Sequence, residues 1–294
     1  MTWYDAAGKP LATVGTSSPY QSPAISPDAQ RVAVFKQDGN AGDIWMFDLT
    51  RGTSSRFTFD AGIDTAPAWS PDGTQVVFSS NRGRGLDLYV KNSGGVGQEE
   101  VLLTSDHGKL VDDWSRDGRL ILYRDQDPKT GWDLWVLPLD GDRKPRPLVQ
   151  TPFAEFQGRF SPDGRWFAYT SNETGQEEVY VQSFPPSGGK WQISTNGGVH
   201  PRWRRDGREL YFHSASNEAM GVDIAASLGG AFKAGVPRKL FGITLASRTV
   251  ERNGWDVTPD GQRFLINSST AQAAQAAGQE IPITVIVNWL SQQR

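Results

Sequence analysis

The side chains with chemistry to offer in this 294-residue chain are carboxylates and amides, set against a strong internal repeat. Six aspartates, Asp28, Asp72, Asp117, Asp163, Asp206 and Asp260, recur at gaps of 44, 45, 46, 43 and 54 residues. A turn-forming role accounts for all six copies, whereas one active site needs only one. Four more acids, Asp43, Asp87, Asp133 and Glu178, open an acid–aliphatic–aromatic triplet in successive copies and fall to the same argument. They are expected to meet backbone or serine groups of neighbouring strands. The residues that differ between copies are better candidates: Tyr20 and Gln21, Asp64, Asp112, Glu155 and Gln157, His200, and Glu251 with Asn253. If they share one mouth, four carboxylates converge, and such acids repel unless protons or a cation neutralise them. A hard divalent cation with oxygen ligands, Ca²⁺ first, fits Asp64, Asp112, Glu155, Glu251 and Asn253. His200 would then be the base, and Tyr20, Gln21, Gln157 and Arg202 would line the ligand. The bland alternative is a solvated polar rim, with His200 merely packing ahead of Pro201.

Other chemistries find little support. With no cysteine and three histidines, zinc is a poor fit, and the chain contains no Gly-x-Ser-x-Gly elbow and no His-Glu-x-x-His. Asp125-Gln126-Asp127 with Gly131 and Asp133 faintly resembles a calcium loop, but the glycine is one place late and Lys129 occupies a ligand position. Arg202, Arg204 and Arg205 could grip an anion or pair with acids such as Asp206.

The element that must position these groups is the turn around each repeated aspartate. Trp69-Ser70-Pro71-Asp72-Gly73 is its fullest form, and Ser161-Pro162-Asp163-Gly164 and Thr258-Pro259-Asp260-Gly261 are close copies. Proline presets φ at the second position of a type I turn, aspartate bonds nearby backbone, and glycine takes the left-handed conformation. The first copy has Ala29 for glycine, and the fifth has Arg204-Arg205 for Ser-Pro, which leaves those two turn geometries open. Runs such as Gln75-Val76-Val77-Phe78 and Trp166-Phe167-Ala168-Tyr169 follow the turn as strands. A period of forty to fifty residues predicts a radial array of small sheets. The expected fold is all-β, a six-bladed β-propeller of four-stranded antiparallel blades. It forms a single domain over 1–294, with blades at roughly 20–60, 64–106, 110–151, 155–196 and 199–242. A closing blade combines 251–290 with 2–15. Its pieces include Ile283-Thr284-Val285-Ile286-Val287, beyond an Ala/Gln-rich loop from Thr270 to Gly278. The ends hold one strand too many, so seven blades with one incomplete is the alternative.

Bulk properties narrow the partners. A net charge of −3 with scattered basic residues argues against a general nucleic-acid surface. No run of eighteen apolar residues occurs, so no membrane span is expected, and the start lacks a basic-then-apolar signal region.

The repeat resembles the propeller of TolB and its relatives, where the same Ser-Pro-Asp-Gly turn sits in each blade. The ends, Trp3-Tyr4-Asp5 with Gly8-Lys9-Pro10-Leu11 and Asp256-Val257-Thr258-Pro259-Asp260-Gly261 with Ile283 to Trp289, resemble the C-terminal propeller behind bacterial membrane-anchored serine/threonine kinases. No kinase apparatus is present. The resemblance implies a periplasmic or extracytoplasmic, sensor-like binding module that recognises a protein, peptide or small-molecule ligand at the channel mouth; a monomer is expected. Fold alone does not imply function. The competing expectation is a Ca²⁺-dependent hydrolase of lactones or esters, with the metal polarising the carbonyl or water and Tyr20, Phe153 and Phe156 forming an apolar lip.

Overall fold

The computed structural model describes residues 1–16, 18–225, 232–246 and 252–268. They form six four-stranded antiparallel sheets arranged as the blades of a propeller. The first strands of the blades, Tyr20–Ile25, Asp64–Trp69, Lys109–Trp114, Glu155–Phe160, Gly198–Trp203 and Trp255–Val257, are neighbours around the central axis. Six blades is therefore the count, and the seven-bladed alternative falls.

Ring closure differs in detail from the sequence expectation. The sixth sheet has Trp255–Val257 innermost, then Arg263–Ile266, then the N-terminal strands Thr2–Asp5 and Pro10–Thr13. Thr2 pairs with Ile266 and Trp3 with Leu265. The N-terminus thus supplies both outer strands and completes a four-stranded blade. The expected strand Ile283 to Val287 and the loop from Thr270 to Gly278 lie outside the described residues.

The second strands read as continuous apolar runs because both faces of each blade are covered. Val32, Ala33, Val34 and Phe35 are all essentially inaccessible, although alternate side chains point to opposite blade faces. The apolar core accordingly divides into six clusters, one in each seam between neighbouring blades. Trp3 and Leu265 from the sixth blade meet Val32 and Val34 from the first, so the closing seam is packed like the others.

The repeated turns behave as their chemistry requires. Ser26, Ser70, Ser115, Ser161 and Thr258 each donate a hydroxyl hydrogen bond to the aspartate two residues on. That hydroxyl oxygen in turn accepts the backbone N–H five residues on, which pins the start of the second strand. The hydroxyl bonds hold Asp28, Asp72 and Asp260 below the usual carboxylate range. Ala29 adopts the left-handed conformation at φ 56°, close to the 72° of Gly73, so the first turn keeps its shape. In the fifth turn Gly207 N–H still bonds the Arg204 carbonyl at 2.9 Å, and Arg204 takes the serine's place on Asp206. That pairing lowers the Asp206 pKa to about 2.

Candidate functional site

The innermost strands carry a device that the repeat turns do not reveal. Pairing with the second strand shifts register between Gln21 and Ala24, Thr65 and Ala68, Val111 and Asp113, Phe156 and Arg159, and Val199 and Arg202. Such bulges leave backbone groups unpaired within the blade. Ser22, Ala66, Gln157 and His200 sit at these points with φ between 49° and 59°. Freed N–H groups must find acceptors elsewhere, and the neighbouring blade supplies them. Ser22 N–H bonds the Asn253 carbonyl at 2.8 Å, Gly158 N–H bonds Asp112 at 2.9 Å, and His200 N–H bonds the Gln157 side chain at 2.7 Å.

Most residues expected at an open, metal-binding mouth are buried and already engaged within the protein. Asp64 is buried and takes two hydrogen bonds, at 2.9 and 3.0 Å, from one nitrogen of the Arg82 guanidinium. Asp112 is buried with the Arg124 Nε 3.0 Å away, and burial pushes its pKa up against the pull of Arg124. Glu155 is fully buried and accepts the Thr151 hydroxyl, and burial pushes it up to about 7. Gln157 is closed in by the Thr170 hydroxyl at 3.0 Å and by His200 N–H. Tyr20 packs edge-on against Phe47 in the closing seam. Gln21 accepts from Arg252, and Asn253 accepts Ser22 N–H through its backbone carbonyl, while its side-chain Oδ1 is buried without a hydrogen-bond partner. His200 is fully buried, and its own carbonyl accepts the Trp255 indole N–H at 3.0 Å. Glu251 lies outside the described residues. The partners seen are of two kinds: Asp64, Asp112 and Glu155 meet Arg82, Arg124 and Thr151 nearby in the chain, whereas Gln21, Gln157 and a second bond of Asp112 reach a neighbouring blade. Among the described residues, no group of three or more His, Asp or Glu side chains could hold a metal ion.

The remaining singled-out residues are also accounted for. Glu178 meets Ser194 and the Gly197 N–H, as expected of a third-strand acid, whereas Asp43 pairs mainly with Arg56. Asp127 caps a plain turn through Lys129 N–H at 2.7 Å, and Asp125 meets His107 Nδ1 at 2.8 Å. Phe153 is exposed but Phe156 is buried, so the expected apolar lip does not assemble.

A cavity lies at the other end of the axis, where the repeat turns crowd together. Its volume is about 220 Å³, and all six blades line it. The residue four before each repeated aspartate faces it: Ala24, Ala68, Asp113, Arg159, Arg202 and Asp256 in blade order. So does the residue one before: Pro27, Pro71, Arg116, Pro162, Arg205 and Pro259. Blades one and two contribute only small or apolar groups, and charge is confined to blades three to six. Arg202 Nε bonds Asp256 at 2.9 Å, while its other nitrogens reach the Pro201 and Trp255 carbonyls at 2.7 and 3.2 Å. Burial first, and then the Arg159 charge, lowers Arg202 to about 10. Asp256 also accepts Ile25 N–H at 2.8 Å, and Asp113 accepts Phe160 N–H at 2.9 Å. Of the candidate ligand-contacting residues named from the sequence, Arg202 and Arg205 reach this cavity. The missed signal was positional: the copy-to-copy variation at four and one before the aspartate marks an axial ring.

Comparison with known proteins agrees with this architecture. Residues 12–131 match the TolB beta propeller domain family. Over this stretch the propeller resembles that of TolB. The Tol-Pal system protein TolB of Francisella tularensis is 29% identical over 197 residues, covering 66% of this chain and 45% of that protein. The uncharacterized peptidase YuxL of Bacillus subtilis is 26% identical over 198 residues, covering 53% of this chain and 30% of that protein. The chain thus spans less than half the length of these curated relatives. A putative TolB from Agrobacterium tumefaciens superposes with a TM-score of 0.73 over 90% of this chain and 95% of that one, at 19% identity. At that identity the likeness is one of fold. The narrower resemblance to kinase-associated propellers has no counterpart in these matches.

Proposed function

We propose that this TolB-like propeller is a binding module, and that it recognises a partner or ligand at the turn-end mouth of its axis. One observation carries this: six structurally equivalent positions open on one cavity and differ chemically from blade to blade. A structural repeat needs identical turns. Divergence at the axis, beside conserved turn chemistry, is what recognition of an asymmetric object requires. The cavity is below the usual size for a drug-like ligand, which suits a protruding side chain or chain end of a larger partner, or a small ligand. Extracytoplasmic placement belongs to the same proposal and rests on the likeness to a Tol-Pal protein. Among the described residues, no helix is long and apolar enough to cross a membrane.

The test is site-specific photocrosslinking in cells. A photoreactive residue replaces Pro71 at the mouth, where the equivalent position in the third blade already tolerates Arg116. A second replaces exposed Val101 on an outermost strand. The proposal expects a discrete adduct, protein or small molecule, from the mouth and none from Val101. Equal labelling from both positions, or none from the mouth, overturns it.

A further inference from the structure

The charges around the mouth do not balance, and the imbalance is built from departures at the axial ring. Four arginines line the cavity, Arg116, Arg159, Arg202 and Arg205, against two aspartates, Asp113 and Asp256. Both aspartates are committed. Asp256 is bonded by Arg202 and Ile25 N–H, and Asp113 stands 3.9 Å from Arg159 while accepting Phe160 N–H. These two pairs neutralise the deeper ring. The outer ring has no such compensation. Where four of the six turns place proline, the third and fifth place Arg116 and Arg205. Arg205 reaches towards the first blade and donates to the Pro27 carbonyl at 3.0 Å, a neutral acceptor. Arg116 is exposed and has no hydrogen-bond or ion-pair partner among the described residues. The aspartates of the same two turns are already occupied, Asp117 by Ser115 and Asp206 by Arg204. Below them, the Arg159 Nε is buried without a hydrogen-bond partner. Partial burial and the Arg205 charge both hold the Arg116 guanidinium below its usual range, as expected of cations facing each other without an anion.

We infer that the turn-end mouth is an oxyanion site, in which Arg116 and Arg205 clamp a carboxylate or phosphate group above Arg159. This rests on the binding function proposed above and names the chemistry of what is bound. Guanidinium groups present paired N–H donors that match the two oxygens of a carboxylate or the face of a phosphate. The small side of the mouth, Ala24, Ala68, Pro27 and Pro71, leaves room for the slender stem that carries such a group. The chain as a whole carries a net charge of −3, so the positive excess is local to the mouth, and its attraction falls with added salt.

The test uses the whole chain and three probes at matched ionic strength: inorganic phosphate, citrate, and an acetylated tri-glutamate peptide. Binding is followed by calorimetry and by the thermal midpoint. The wild type is compared with Arg116→Ala/Arg205→Ala and with Arg143→Ala/Lys144→Ala, a control pair in an exposed turn. Saturable binding of at least one probe is expected, weakened by about tenfold or more in the mouth variant and unchanged in the control. Preference for phosphate over the carboxylates, or the reverse, identifies the group. Equal unfolding midpoints without probe guard against a folding artefact. If the mouth variant falters, single Arg116→Gln carries the same comparison. Absence of saturable binding by all three probes, or binding equal in the mouth variant, overturns the oxyanion assignment. A mouth-specific crosslink from Pro71 alongside that negative result would leave the binding module standing and remove only its anion chemistry.

Discussion

Gln157 separates a seam joint from a ligand contact, and the change Gln157→Ala tests which it is. Its side-chain carbonyl accepts two hydrogen bonds, from His200 N–H at 2.7 Å and from the Thr170 hydroxyl at 3.0 Å. Both donors are fully buried, away from bulk solvent. The stranded backbone N–H costs about 1–3 kcal/mol, because it stays desolvated without an acceptor. The hydroxyl can rotate, so its loss is about 1 kcal/mol. The truncated side chain also vacates space in a packed seam, which adds to the cost in the same direction. The expected destabilisation is roughly 2–4 kcal/mol in all. For a domain of this size each kcal/mol lowers the midpoint by about 2 °C, so scanning calorimetry should record a fall of roughly 4–8 °C. Anion or partner binding at the turn-end mouth should persist below the new midpoint. An unchanged midpoint with lost binding would refute the seam assignment and return Gln157 to the ligand-contacting set.

Two further outcomes follow from the same geometry. Glu155 has its folded pKa raised from 4.5 to about 7 by burial, so the folded state holds that proton more tightly than the unfolded chain does. Its stabilising contribution is full below about pH 4.5 and is lost as pH rises towards about 7. Glu155→Gln should therefore flatten the midpoint-versus-pH curve across that window, and an undiminished slope in the variant would contradict the burial argument. Ca²⁺ added to metal-stripped protein should leave the unfolding midpoint within about 1 °C of the chelator-treated sample, because a ligand stabilises only by binding the folded state and Asp64 and Asp112 already face guanidinium groups. A calcium-specific rise that disappears in Asp64→Asn would revive the channel-metal hypothesis.

The architecture was legible in the chain because it is written locally and six times over. A Ser-x-Asp-Gly turn needs only its own four residues and the N–H groups just beyond them, so Ser70, Asp72 and Gly73 declare it without help from the rest of the fold. Repetition at a steady period then implies the radial array. The packed second strands were legible for a similar reason, since runs such as Val76-Val77-Phe78 have both faces covered. What only the tertiary structure decided is that a cavity opens at the turn end of the axis, and which side chains are already engaged. Asp112, Gln157 and His200 look like free functional groups in sequence. The bulges that release their neighbours' N–H groups depend on strand register, and their partners sit on another blade some forty-five residues away. The Arg116 and Arg205 clamp was likewise invisible as a pair. The two lie in turns 89 residues apart, and only closure of the ring brings them to one mouth. Local hydrogen bonding determines the turns, whereas burial and charge balance at the axis are properties of six blades together.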